Sequence, residues 1–375
     1  MTRIDLALVD DWELRGDGSG DPRRIQFEPM QTLMRILEGA GVRGSFNVEV
    51  MQQMVFRRWQ TKYSTLGELA DEWDRTVVDA YRRGHDIQLH IHPQWRHAEY
   101  DGSTWSLQGD WALPNHSRAA VDEMIVQGIQ YLEALIRPLD SSYRCISFRS
   151  GSWAIAPSEF VLSVLASHGI EFDMSLVAGV RYHTRRVELD YTQMEEPFRP
   201  YFPDMRDARR VSPTRQPIAI VPTNRFLGQS PVERAIRNPR LVIGKLKGFR
   251  ETTGLPPAGP TGMYREWDPL PDNSAASLSS RVGRFFRRPS RISDLAQLNF
   301  ASMREMLRQM RNNAARIEDE AVPVILENHT KDVSEWRDIE RFVVEVSRAH
   351  DIRTVTLTGI ARGLRDGRYS VLTRT

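Results

Sequence analysis

The sequence predicts an α/β fold built on one parallel sheet, open or closed into a barrel, and three observations carry that expectation. Short apolar runs alternate with stretches of helical periodicity through the first half of the chain and again at its end, the pattern of strands joined by crossover helices. The 375 residues, 40% of them hydrophobic, suffice for one elaborated barrel with a sizeable core. Ionisable residues gather where the apolar runs stop, which in parallel α/β folds is the edge of the sheet that builds sites.

Residues 4–9 form an apolar run that switches abruptly to Asp10-Asp11, a buried strand with a polar tip. Phe27, Met30, Leu33, Met34 and Leu37 fall at helical spacing and stop at Gly39. Residues 44–50 alternate as a second strand. Leu69, Trp73, Val77 and Ala80 share one face of a helix over 66–81, closed by Gly84. A strand over 87–92, a helix over 121–136, a strand over 143–148, a helix over 160–166 and a strand over 170–174 follow. The rhythm breaks after Leu176. Residues 217–221 read as a strand, and 225–298 as an insertion with a Gly/Pro loop at 254–262 and a basic run at 281–291. Alternation resumes with a helix around Met303 and Met310, a strand over 322–326, a helix through Ile339 and Val346, and a last strand over 352–357. No internal repeat or separable second domain is evident, so 1–375 reads as a single catalytic domain decorated by that insertion.

Composition excludes several classes. Lys+Arg 51 against Asp+Glu 49 leaves a formal charge of +2, against a dedicated nucleic-acid binder. The single cysteine, Cys145, excludes a disulfide framework and a Cys-rich zinc site, and reads as a buried apolar side chain. No apolar run reaches the roughly 18–20 residues of a membrane span. The N-terminus enters a strand without a basic-then-apolar leader, so a cytoplasmic location is expected.

Four strand ends carry candidate chemistry. In Asp10-Asp11 one carboxylate could bind a cation while its neighbour serves as general base. In His90-Ile91-His92-Pro93, alternate residues of an extended strand point the same way, so both imidazoles can converge on one ion. With Asp11 they make a two-histidine, one-carboxylate set that accepts Zn, Co, Ni or Mn, zinc first. Arg149 could hold a carboxylate ionised by a charge-assisted hydrogen bond. His329 could be a general acid, its ordinary pKa lying near operating pH.

Taken in order, the stretches Leu8-Val9-Asp10-Asp11-Trp12, Gly84 to Trp95, Ser147-Phe148-Arg149-Ser150-Gly151-Ser152-Trp153 and Ile325-Leu326-Glu327-Asn328-His329-Thr330 resemble the polysaccharide deacetylase (NodB-homology) family of carbohydrate esterases, in a variant group with a His-x-His-Pro metal motif. Arg43 to Val48 resembles the family's second strand. The resemblance implies a distorted (β/α) barrel in which Asp10 is the general base, Asp11, His90 and His92 the metal ligands, His329 the general acid and Arg149 the group that orients Asp10. Trp12, Trp95, Ser150, Trp153 and Asn328 would contact substrate. The family's common histidine spacing would put the second ligand at Gln94 rather than His92, and neither Asp173 nor Asp268 is well placed to tune His329. The substrate implied is an N-acetylated amino sugar, lipid- or nucleotide-linked, in a lipopolysaccharide or exopolysaccharide precursor. The basic run at 281–291 would offer a peripheral membrane contact. Competing readings are a C–N hydrolase for a small non-sugar amide, an amidohydrolase-type barrel and a sugar-binding pseudoenzyme. The amidohydrolase type would carry His-x-His on its first strand, where Asp10-Asp11 stands here.

Overall fold

A strand can outrun its apolar stretch when neighbours continue the ladder, and β1 does so, spanning Arg3–Trp12 with Asp10, Asp11 and Trp12 inside the sheet. The structure, a computed structural model, describes residues 2–184, 186–228, 288 and 290–374. Seven further strands complete the parallel sheet: β2 (Ser45–Glu49), β3 (Asp86–Ile91), β4 (Ser147–Ser150), β5 (Phe172–Asp173), β6 (Ala219–Ile220), β7 (Ala321–Asn328) and β8 (Ile352–Val355). The order is β6-β5-β4-β3-β2-β1-β7. β8 pairs with the opening half of β1, at Ile4 to Ala7, and β2 with its closing half, at Val9 to Trp12. The sheet curls until its two ends meet at a bridge between Thr223 and Ile325, where Asn224 N–H donates to the Ile325 carbonyl at 2.9 Å. This is the expected distorted (β/α) barrel.

Alternation along β1 divides the core. Leu6, Leu8 and Trp12 face the surrounding helices, whereas Ala7 and Val9 face the barrel interior, in one cluster with Phe172, Met174, Val221 and Ile325. The helices are α1 (Glu28–Gly39), α2 (Val50–Trp59), α3 (Ser64–Arg82), α4 (Arg118–Ile136), α5 (Val161–Ser167), α6 (Phe300–Ala314), α7 (Trp336–Ser347) and α8 (Leu357–Arg365). The periodicity did not predict α2 or α8. Val50 to Gln53 at the start of α2 are all buried, with Val55 and Phe56 beyond them, so it carries no narrow apolar stripe. α8 directs Leu357, Ile360 and Ala361 into the interior cluster.

The ends of the segment expected as an insertion form a two-stranded sheet of their own that packs on α6. Arg225–Leu227 pairs antiparallel with Ser290–Ile292, and Leu227 N–H donates to Gln309 of α6 at 2.9 Å. Most of the basic run at 281–291 lies outside the described residues; Arg288, Ser290 and Arg291 are its described members. Asp268 also lies outside them. Among the described residues no helix is long and apolar enough to cross a membrane.

Candidate active site

The inward side of β1 continues from Val9 to Asp11 and on to Glu13, one residue past the strand's end. On β3 the same rule turns His90 inward, with His92 just beyond. Glu13 Oε2 lies 3.2 Å from His90 Nε2 and in direct contact with His92 Nε2. His90 Nδ1–H donates to the Arg149 carbonyl at 2.8 Å, which leaves Nε2 directed at Glu13. The carboxamide of Gln94 bonds His92 Nδ1 at 2.9 Å, so Gln94 orients His92, while the His92 Nε2 is the nitrogen that faces Glu13. That Nε2 is buried against the Glu13 carboxylate. Ligand atoms of Glu13, Glu49, His90 and His92 all lie within 4.8 Å of one another. Glu49 is already committed, since it caps α2 through Met51 N–H at 2.8 Å and accepts His92 N–H at 2.6 Å. Two imidazoles and a carboxylate converging at one point are a donor set that fits a divalent cation.

Beside this set lies a second one. Arg149, fully buried at 0% exposure, places Nη1 3.2 Å from Asp11 Oδ2 and 3.1 Å from Glu327 Oε2. Burial pushes Asp11 up, but Arg149, His90 and His329 together hold it below the usual carboxylate range. Asn47 adds a hydrogen bond to its other oxygen at 2.8 Å. Glu327, with less compensation, is pushed up to about 7 by burial. His329 donates from Nδ1 to Asp294 at 3.0 Å and turns Nε2 toward Glu327, 3.4 Å, and Asp11, 3.8 Å. Burial opposes the charged imidazolium, yet Asp294 and Glu327 hold the His329 pKa well above its ordinary value. Lys331 pairs with the other oxygen of Glu13. With Lys331 and His92 beside it, Glu13 sits well below its usual range despite its burial.

Several expected roles need correction. Asp10, expected as the general base, faces outward toward the helices. There it accepts from Asn328 Nδ2 at 2.5 Å, Thr330 N–H at 2.9 Å and Thr330 Oγ1 at 3.1 Å. Arg149 therefore orients Asp11 rather than Asp10. Glu13, not Asp11, is the carboxylate that meets both imidazoles. Three expected substrate contacts are core residues. Trp12 packs between Phe27 and Trp73 with its N–H on the Gln26 carbonyl, Trp95 packs on Phe56 and Trp105, and Asn328 serves Asp10. Ser150 and Trp153 do line the site. Glu13, Glu327, Asp294 and Lys331 were not anticipated.

These groups open into a cavity of about 690 Å³, within the range that holds whole small ligands. Its wall is aromatic: Trp153 stacks on Tyr182 with centroids 5.8 Å apart and meets His329 edge-on at 5.9 Å. Ser152 and Trp153 both take left-handed backbone, φ 56° in each case. That turn lets the Trp153 indole N–H reach both oxygens of Glu327, at 3.0 and 3.1 Å. Gly151, which precedes the turn, packs directly on His92; an added Cβ would lie 2.6 Å from its ring. Gly151→Ala is therefore expected to displace His92 and lower divalent-metal affinity about 10- to 100-fold, measurable by competition with a chromogenic chelator.

The sequence matches no protein-family model, and no curated protein matches it either. Solved structures do. A protein from Mycobacterium smegmatis, provisionally designated a polysaccharide deacetylase, superposes with a TM-score of 0.50 at 14% identity, over 100% of this chain and 94% of its own. Puue allantoinase matches with a TM-score of 0.47 at 10% identity, over 98% of this chain and 93% of its own. A Pseudomonas aeruginosa PAO1 protein, also provisionally designated a polysaccharide deacetylase, gives the same four figures. What the chain shares with the M. smegmatis protein is the fold.

Proposed function

We propose that the protein is a metal-dependent N-deacetylase that hydrolyses the acetamide of an amino sugar in a lipopolysaccharide or exopolysaccharide precursor, in the cytoplasm. One observation supports this above the rest. A single cavity brings together a Glu13–His90–His92 donor set, a carboxylate paired with a buried arginine, and an imidazole paired with a carboxylate. A divalent cation, Zn first or else Co, Ni or Mn, supplies Lewis acidity toward the water nucleophile and the acyl oxygen. Asp11, ionised and fixed by Arg149 and Asn47, takes a proton from the attacking water. His329, its Nδ1–H held by Asp294, returns a proton from Nε2 to the leaving nitrogen as the C–N bond breaks. Water is added across the amide, giving acetate and a free amine. Trp153 and Tyr182 give the cavity an aromatic wall, a lining that suits a sugar ring.

The test is acetate release by metal-reconstituted protein from N-acetylated sugars and from small linear and cyclic amides. Release from sugars supports the reading. Release from small amides alone replaces the sugar, and metal-loaded protein inert on both overturns it.

The pairing of His329 with Asp294 gives a sharper expectation. Asp294→Asn removes the charge that raises the imidazole, so the His329 pKa falls. Turnover that needs protonated His329 is lost as pH rises through that pKa. The basic limb of the kcat/KM profile should move down by about one pH unit or more. A purely structural defect would scale the profile without moving the limb.

A further inference from the structure

The carboxylates that line the cavity are mostly spoken for: Asp11 faces Arg149, Glu13 faces Lys331 and Asp294 faces His329. Asp332 is the remaining described one. The guanidiniums of Arg15 and Arg181 line the same cavity, with Arg291 nearby in its wall. Arg15 follows β1. Arg181 belongs to the hairpin of Arg181–His183 with Glu188–Asp190. Arg291 belongs to the hairpin of Arg225–Leu227 with Ser290–Ile292. Arg15 has no ion pair and no side-chain hydrogen bond among the described residues, and its buried Nε lacks a partner. Arg181, 70% exposed, pairs with Asp190 at 3.5 Å. Arg291 lies over the Phe226 ring at 5.9 Å and donates to the Gln297 carbonyl at 3.4 Å.

Resting on the hydrolase reading above, we propose that the substrate carries a phosphate or diphosphate, bound in this cavity by Arg15 and Arg181. The imidazoles and carboxylates around Glu13 seek a cation, while the arginines around them seek an anion, so a ligand that fills the cavity must be polarised the same way. A single carboxylate needs one guanidinium fork; two forks from separate elements, Arg15 and Arg181, suit the several oxygens of a phosphate ester or a diphosphate. A nucleoside-diphosphate sugar and a lipid-diphosphate sugar share that group.

Calorimetric titration of the metal-loaded full chain tests this. N-acetylglucosamine 1-phosphate is expected to bind at least about tenfold more tightly than N-acetylglucosamine, with an advantage that shrinks as salt rises. Arg15→Gln and Arg181→Gln should each remove most of that advantage. Equal affinity for the two sugars overturns the proposal. So does an advantage that survives both substitutions, since the phosphate would then sit elsewhere. Comparing nucleoside-diphosphate and prenyl-diphosphate forms of the sugar separates the two sources. Phosphate-dependent binding without acetate release would uphold this subsite and sink the deacetylase reading; acetate release with no phosphate preference would do the reverse.

Discussion

On the proposed function, Glu13→Gln is expected to weaken divalent-cation binding and abolish acetate release together. Glu13 is the carboxylate in contact with both His90 and His92, and its other oxygen carries Lys331. The amide keeps the volume but loses the charge. It is a weak ligand, and it leaves Lys331 buried without its counter-ion. Metal affinity should fall by more than about 100-fold, beyond what loss of an outer partner costs. Lewis acidity is worth several kcal/mol in the transition state, so turnover should drop by at least about 10³-fold. Metal content after dialysis, read beside activity, checks both. Stoichiometric metal in the variant would remove Glu13 from the ligand set.

Asp11→Asn should separate the two halves of the site. The metal is expected to stay, because Glu13, His90 and His92 are untouched, while turnover falls about 10²- to 10⁴-fold with the general base. Asp10→Asn is the contrasting case. Asp10 accepts three hydrogen bonds on the helix side of β1, so its replacement should cost about 1–3 kcal/mol of stability, seen in chemical denaturation. Its turnover, measured under folded conditions, should stay within a few-fold. If instead Asp10→Asn were inert and Asp11→Asn active, the assignment of faces along β1 would be wrong.

That contrast also shows how far the residues could be read unaided. The alternation of strands and helices, the barrel, and the meeting of Arg149, His90, His92 and His329 at one sheet edge were all legible. The division of labour between Asp10 and Asp11 was not, because the strand seemed to stop at Val9 and its parity was therefore never applied. Carried forward, the same two-residue period gives Asp11-x-Glu13, which matches His90-x-His92 and points to Glu13. It also turns Trp12 into the core. Asp294 was hidden differently. It lies in a stretch whose composition reads as insertion, and only the hairpin of Ser290–Ile292 with Arg225–Leu227 brings it under His329. Glu327 sat in plain view at i−2 from His329, on the inward parity of β7, and that spacing could have found it.

The seam of the barrel has a bearing on catalysis. Thr223, which makes the bridge to Ile325, also receives Arg149 Nη2 on its hydroxyl at 2.8 Å and passes that bond to the Met174 carbonyl at 2.7 Å. The clasp of the sheet, made by backbone, and the anchor of the guanidinium, made by a hydroxyl, belong to one residue. A breathing motion that unfastens the clasp and carries Thr223 away would take one contact from Arg149, leaving its Nη1 on Asp11 and Glu327, and would loosen the hold on Asp11. Exchange of the Asn224 amide, which donates across that clasp, would thus report how often the reactive carboxylate is properly held.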